Sequence, residues 1–240
     1  MKQFKLYLSL AMVMILAFAG NANAWSKKVK GNGNVVKETR EVGSFTTIKA
    51  SAGVNVFLFQ GDEEKVVVEA DENLQECVVV RTRGDVLTCY IDCSILYSKK
   101  LNVYVNFKTL KRVDASSGAD VYGETLIRAE TLNLHSSSGA DIKLEIDADE
   151  VECSSDSGAD IVLKGKADRF DGNASSGADI KASDLEVDRC KASASSAGDI
   201  SIRVHDEINA NASSGGDVTY YGNPDREYIS ESSGGDVRKR

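Results

Sequence analysis

The chain is predicted to fold as an all-β solenoid, a stack of coils of about 20 residues behind a strand-rich N-terminal part of less regular pattern. Three observations predict it. A short motif returns seven times, as ASSGADV at 115–121, SSSGADI at 136–142, SDSGADI at 155–161, ASSGADI at 174–180, ASSAGDI at 194–200, ASSGGDV at 212–218 and ESSGGDV at 231–237. Its aspartates are 21, 19, 19, 20, 18 and 19 residues apart. Apolar and polar residues alternate on the approach to each motif, which is strand periodicity. One proline in 240 residues, with abundant Val, Ile and Thr, suits sheet.

Residues 1–24 read as an export signal. Lys2 and Lys5 precede the apolar run Leu6 to Ala19, and Ala22-Asn23-Ala24 is a small-x-small cleavage site. Fourteen apolar residues are too few to cross about 30 Å of hydrocarbon, so no membrane span is expected in the mature chain. Removing that segment takes the net charge from −8 to −10. A chain this acidic lacks the basic patch that displaces phosphate counterions, which argues against nucleic acid as a partner. The product is expected in the periplasm, at the cell surface or secreted.

Residues 25–34 (WSKKVKGNGN) read as a flexible leader. Residues 35–110 read as an irregular β block. Val54, Val56 and Leu58 alternate on one strand, Gln60 to Glu64 turns, and Lys65 to Ala70 forms another strand. Cys77 to Arg81 and Val86 to Ile91 flank Thr82-Arg83-Gly84-Asp85, a hairpin with Gly84 at positive φ. Ser51-Ala52-Gly53-Val54-Asn55-Val56 looks like an early degenerate copy of the motif, with Asn55 in place of the aspartate.

The block FTTIKASAGVNVFLFQGDEEKVVVEADENL at 45–74, followed by a strand pair and serial SSGADI units, resembles the GIN-domain family of auto-transporter adhesin head domains. The resemblance covers about residues 42–237. It implies a right-handed parallel β-helix and an adhesin role in a bacterial envelope, and it brings no catalytic motif.

Residues 111–240 read as the regular β-helix repeats, with six to seven coils expected in the 129 residues from Arg112. Counted back from the motif glycine (Ala197 in the ASSAGDI copy), Leu132, Val151, Phe170, Cys190 and Ile208 form one inward column at seven. Val113, Leu134, Cys153, Gly172, Ala192, Ala210 and Ile229 form the next at five. Small residues follow at three, from Ala115 to Ala212, with Glu231 in the last copy. The serine immediately before the glycine is read as the last inward residue. Polar residues stand between these columns: Asn133, Glu152, Asp171, Lys191 and Asn209, then Asp114, His135, Ser154, Asn173, Ser193, Asn211 and Ser230. This is a strand with one buried and one wet face. Each coil is expected to hold two or three short strands.

The corner is assigned to Gly118, Gly139, Gly158, Gly177, Gly198, Gly215 and Gly234, where a bend needs freedom other residues lack. Val121, Ile142, Ile161, Ile180, Ile200, Val218 and Val237 re-enter the core and stack along the axis. The aspartates 120, 141, 160, 179, 199, 217 and 236 then form a ladder of carboxylates about 4.8 Å apart. Adjacent charges repel by about 0.9 kcal/mol in water, so something must compensate. The favoured reading is that Asp120, Asp141, Asp160, Asp179, Asp199, Asp217 and Asp236 accept backbone N–H bonds at the corner. The alternative is a calcium ladder on the same seven, argued against by unlike opposite corners at Glu145 to Asp149, Lys164 to Asp168 and Ser183 to Asp188.

No zinc site is expected, since His135 and His205 occupy different columns and no other ligands cluster near them. Five cysteines leave at least one unpaired within the chain. Cys153 and Cys190 are read as buried thiols. Cys77 and Cys89 face each other across the hairpin and allow a disulfide, whereas Cys89 and Cys93 are too far apart on one extended strand. Val237-Arg238-Lys239-Arg240 closes the last coil with charge, and with no aromatic-rich tail beyond it no barrel is expected in this chain.

The function read from the sequence is a non-catalytic exported envelope protein that binds glycan or a surface protein through repetitive polar faces, without cofactor. The alternatives are a polysaccharide lyase or glycosidase, and an envelope scaffold pairing through the irregular block. An enzyme needs one distinctive constellation, and seven copies of one corner do not supply it.

Overall fold

The computed structural model describes residues 28–240, so the export signal and its cleavage site lie outside the described residues. Strands come in the order β1 (Lys28–Lys30), β2 (Val35–Arg40), β3 (Thr47–Ser51), β4 (Asn55–Gln60) and β5 (Lys65–Asp71). A 3₁₀ helix, Glu72–Cys77, leads to β6 (Val78–Arg83), β7 (Val86–Ile91), β8 (Ser94–Tyr97) and β9 (Leu101–Phe107). Then follow β10 (Arg112–Ser116), β11 (Asp120–Gly123), β12 (Ile127–Ser137), β13 (Asp141–Asp156) and β14 (Asp160–Ser175). The chain ends with β15 (Asp179–Ser195), β16 (Asp199–Ser213), β17 (Asp217–Tyr221), β18 (Arg226–Ser232) and β19 (Asp236–Lys239).

From β10 onward every pairing is parallel, and in the columns on either side of the corner the coils are in step. Asp141 pairs with Asp160, Ile142 with Ile161, and Ser155 with Ala174. The result is a β-solenoid of about seven turns at roughly 19 residues per coil. A coil alone cannot bury its apolar face, so stacking supplies the core. Val56, Val121, Ile142, Ile161, Ile180, Ile200 and Val218 form one continuous ladder, each 0–1% exposed. In the last copy Val237 is only partly buried and Ile229 is 43% exposed.

The middle coils are continuous strand from the aspartate to the next corner, as in the 16 residues of β14, whereas the coils that start at Asp120 and Asp217 are each two strands, β11 with β12 and β17 with β18, as expected. Opposite the corner the coils bend while their ladder continues, with Glu145 beside Lys164 and Ile146 beside Gly165. Those bends are irregular, and the register slips between Ala182 and Glu186.

The early degenerate copy is a true coil. β3 and β4 run parallel to β10 and β11, and Asn55 pairs with Asp120. The block at 35–110 therefore contains regular coils, but in an order the sequence does not disclose. β7 and β9 lie outside β3 and β4, so the chain lays down its second coil before its first. Antiparallel strands then close this end. β6 pairs with β7, β5 with β9, and β2 with β5, so no parallel edge is left for another coil. The 3₁₀ helix buries Leu74 and Gln75 against this cap.

Residues 28–34, expected as a flexible leader, are tied down. β1 pairs with β8, and the Gly33 N–H donates to the Asp71 carboxylate at 2.5 Å. The hairpin of β6 and β7 forms with Gly84 at φ 61°, as expected, but its register corrects the disulfide. Val78 faces Ile91 and Val80 faces Cys89. Cys89 therefore points into the core, and Cys77 bridges Cys93, which follows the end of β7. Cys89 and Cys93 lie on opposite sides of a turn rather than along one strand. Cys89, Cys153 and Cys190 are free and buried.

Candidate functional site

The repeated corner is a tight two-residue turn. Ser117 and Gly118 have φ of 54° and 71°, and the pairs Ser138–Gly139, Ser157–Gly158, Ser176–Gly177, Ser214–Gly215 and Ser233–Gly234 match them. Two successive left-handed residues define a type I′ turn. It is closed by Ala119 N–H donating to Ser116 O at 3.3 Å, and by the equivalent bond from Gly235 to Ser232 at 3.0 Å. In the fifth copy the pair is Ser196 and Ala197, at φ 51° and 61°. Gly198 is therefore not the bend. It occupies the buried position after it, shared with Ala119, Ala140, Ala159 and Ala178, where an added Cβ would lie 2.6 Å from the Ala174 carbonyl carbon.

The serine before the glycine is likewise exposed rather than inward. The turn rotates its side chain out, and the residue after the glycine, Ala119 in the first copy, is the one that faces the core. The buried serines stand two positions earlier. Ser136 and Ser155 donate to Ala140 O and Ala159 O at 2.7 Å, which satisfies hydroxyls that would otherwise be costly to bury. Corners stack directly, since Gly118 N–H donates to Ser138 O and Gly139 N–H to Ser157 O, both at 3.2 Å.

This stacking also corrects the role of the aspartates. Their backbone N–H groups donate to the preceding coil, as Asp160 does to Ala140 O at 3.1 Å, and the carboxylates of Asp141, Asp160, Asp179, Asp217 and Asp236 turn to surface cations. Lys143 meets Asp141 at 2.9 Å. Lys181 bridges Asp160 at 2.7 Å and Asp179 at 3.0 Å. Arg238 bridges Asp217 at 3.4 Å and Asp236 at 2.7 Å. The Tyr122 hydroxyl donates to Asp120 at 3.3 Å. These partners lie two residues after an aspartate, on the same strand face, and that spacing was readable in the sequence. Asp199 stands between the two bridges. Burial, then the neighbouring Asp179 and Asp217, push its carboxyl above the ordinary value. Among the described residues no group of three or more His, Cys, Asp or Glu side chains is arranged to hold a metal.

Two further polar ladders define the flat face before the corner. One runs Asn133, Glu152, Asp171, Lys191, Asn209 and Tyr228. Beside it run Asp114, His135, Ser154, Asn173, Ser193, Asn211 and Ser230. Within a ladder the spacing is about 4.8 Å, and between the two it is about 6.6 Å, two residues along a strand. All these groups are exposed or half-buried, and a shallow groove of about 270 Å³ opens among Arg112, Asn133, His135, Glu152, Ser154 and Asn173. Lys191 holds Asp171 at 2.8 Å and Arg112 holds Asp114 at 2.7 Å. The result is a grid of mixed donors and acceptors.

An aromatic column, absent from the sequence reading, lies across the first coils on another face. Phe57 stacks between Tyr104 and Tyr122 with ring centroids 5.3 Å away on each side. Lys37 covers Tyr104 at 5.4 Å and Lys143 covers Tyr122 at 5.5 Å. Each ring face is occupied by another ring or an ammonium group, so the column staples coils together rather than offering a platform to a ligand.

Comparison with known proteins agrees with this architecture. Similar solved structures include a “putative adhesin” from Bacteroides fragilis, at 19% identity and TM-score 0.83 over 88% of this chain and all of that one. A “putative adhesin” from Parabacteroides distasonis matches at 23% identity and TM-score 0.71 over 89% of this chain and all of that one. A “putative lipid binding protein” from the same organism matches at 22% identity and TM-score 0.69, with 89% and 100% covered. At these identities the likeness carries the fold alone. No curated protein matches the chain. The family described as “putative auto-transporter adhesin, head GIN domain” matches residues 44–224, three quarters of the sequence, and the chain belongs to that family.

Proposed function

We propose that this adhesin-like protein acts outside the cytoplasm, binding an extended polar ligand along the flat face without chemical turnover. The ligand class is a surface glycan or a polar segment of a surface protein. The observation that carries this reading is the double ladder of Asn, Ser, His, Asp and Glu around the groove at Asn133, Glu152 and Asn173. Ligand hydroxyls and amides need both donors and acceptors, and repetition every coil suits a polymer better than a compact molecule. The Cys77–Cys93 disulfide supports an oxidising compartment. The acidic chain favours a neutral or cationic polymer over a polyanion.

The test is a glycan and matrix-protein array probed with the exported product and with an Asn133→Ala/Ser154→Ala/Asn173→Ala variant. The expected result is that the variant keeps the parent melting temperature and loses at least about tenfold in affinity. Equal binding by both proteins, or release of shortened product from a bound polysaccharide, would overturn the reading.

A further inference from the structure

The outermost coil lacks the SSGAD-type corner. In its place the chain from Cys93 to Lys100 (CSILYSKK) makes an excursion beside the corner of the next coil, at Ala52 and Gly53. This excursion carries Leu96, the most exposed large apolar side chain of the described residues at 64%, and beside it Tyr97 at 54%, matched only by Tyr228 in the last coil. Such side chains are expected inside a stable loop unless something else covers them.

The excursion is firmly held. Cys93 is bridged to Cys77 at its start. β8 pairs with β1, Lys28 beside Ser94, Val29 beside Ile95 and Lys30 beside Tyr97. The register slips by one residue between the last two pairs, and the extra residue is Leu96. A bulge of this kind re-aims the side chain it adds. Gly31 N–H donates to Tyr97 O at 2.8 Å. Asp71, fully buried, takes the N–H of Gly33 at 2.5 Å and of Lys99 at 2.7 Å. A disulfide, a strand pairing and a saturated buried carboxylate thus present two apolar side chains to solvent.

The exposed side chains of the tip are basic, against the sign of the whole molecule, and the acids nearest to them, Asp71 and Glu69, lie buried and half-buried beneath. Lys28, Lys30, Lys99 and Lys100 are all exposed, and no ion pair engages any of them among the described residues. The segment 93–100 contains no acid, and net charge elsewhere takes the chain to −8. Asp92, just before it, is the nearest exposed carboxylate in sequence. A shallow hollow of about 350 Å³, lined by Ile91, Ile95 and Leu101, lies beside Leu96 and Tyr97.

We propose that this tip docks the protein on the surface of an anionic phospholipid bilayer. Leu96 enters the acyl boundary, Tyr97 sits at the headgroup level with its hydroxyl in the wet layer, and the four lysines meet lipid phosphates. Tyrosine favours that boundary because one end is apolar and the other polar. Lysine stems lie along apolar surface while their ammonium groups stay in water. Charge complementarity selects the occupant, since an ammonium near an anionic leaflet gains about fivefold in affinity. The polar ladder face lies on coils beyond the tip and is left free, so docking and ligand binding are separate properties.

Sedimentation of the exported product with vesicles tests this. One set is equal parts phosphatidylglycerol and phosphatidylcholine, the other phosphatidylcholine alone. Binding is expected to the first set, at least about tenfold weaker to the second, and weakened by salt as surface charges are screened. Leu96→Ser/Tyr97→Ser is expected to abolish sedimentation at an unchanged melting temperature, and Lys99→Gln/Lys100→Gln to remove most of the preference for the anionic set. On the unaltered protein, anionic vesicles are expected to protect Lys99 and Lys100 from amine acylation, a readout that needs no variant. Absence of binding to anionic vesicles at low salt, equal binding to both sets, or unimpaired binding by Leu96→Ser/Tyr97→Ser would overturn the proposal. So would concentration-dependent dimerisation that this variant abolishes while the parent ignores vesicles, because the patch would then face a second copy.

Discussion

Phe170 occupies the space that a side chain at position 172 would need. A Cβ built on Gly172 lies 2.4 Å from Cε1 of Phe170 and 2.7 Å from its Cζ. Both residues face the core, two positions apart on β14, with Phe170 2% exposed. The neighbouring coils place Val151 and Cys153, then Cys190 and Ala192, at the same pair of positions. A ring in the outer column is therefore accommodated by deletion of the inner side chain. Gly172→Ala is expected to cost about 1–3 kcal/mol by overpacking. In a Phe170→Leu background the same change costs much less, because the obstructing ring is gone. Denaturant unfolding of the four proteins of this cycle measures the coupling, and additive effects would refute the shared space.

The fifth corner offers a stabilising substitution. Ala197 holds φ 61°, where its six counterparts are glycine. The left-handed conformation costs an alanine about 1–2 kcal/mol, partly offset by the greater freedom a glycine loses on folding. Ala197→Gly is expected to raise stability by about 0.5–1 kcal/mol, and Gly177→Ala to lower it by a similar amount. No atom lies within 4 Å of a Cβ added at Gly177, so the loss would be conformational, not steric. Equal midpoints for Ala197→Gly and the parent would show that neighbouring coils already dictate the turn.

The repeat made the solenoid legible because stacking forces like residues into columns. Val121, Ile142 and Ile161 could be placed in one ladder before any coordinates. The corner was located but misassigned in detail. Alternation predicts that Ser117 faces inward, and two left-handed residues in succession break alternation at that point. The Asp141–Lys143 pair was also within reach, since residues two apart on a strand share a face. The spatial order of β7, β3 and β10 was not legible. Local pattern gives a strand its faces but not its neighbour, and here the neighbours are set by a crossover and antiparallel strands at the end. The disulfide turned on the register of that hairpin, and so did the inward aim of Cys89.

That disulfide and the three free thiols give a direct chemical check. Burial pushes the Cys89 thiol up to about 12, and raises Cys153 and Cys190 for the same reason. A thiol so protonated and enclosed is a poor nucleophile. A thiol reagent is expected to label none of the three in the native protein and all three after unfolding without reductant. Labelling of Cys77 or Cys93 without reductant would place the bridge elsewhere. Cys77→Ala/Cys93→Ala opens a loop of sequence separation 16 and is expected to cost about 2–3 kcal/mol.

Asp199 separates the two readings of the aspartate ladder. Lys181 serves the aspartates on one side of it and Arg238 those on the other, while Asp199 has Asp179 and Asp217 as ladder neighbours. Its carboxyl is raised by burial first and by these two charges next. A raised carboxyl binds its proton more readily folded than unfolded. Its favourable contribution is thus present below the unfolded value near 3.8, and is lost as pH rises through the folded value. At neutral pH the ionised group is a liability, and Asp199→Asn is expected to stabilise the protein by a few tenths of a kcal/mol. The gain should vanish toward pH 3, where the parent is already neutral at this site. A calcium ladder reverses the expectation, since a bound cation makes each carboxylate an asset at neutral pH. Parent and Asp199→Asn are to be melted with calcium and with chelator across that pH range. A chelator-sensitive parent, together with a destabilised Asp199→Asn at neutral pH, would restore the cation; insensitivity and a small gain would assign the ladder to Lys143, Lys181 and Arg238.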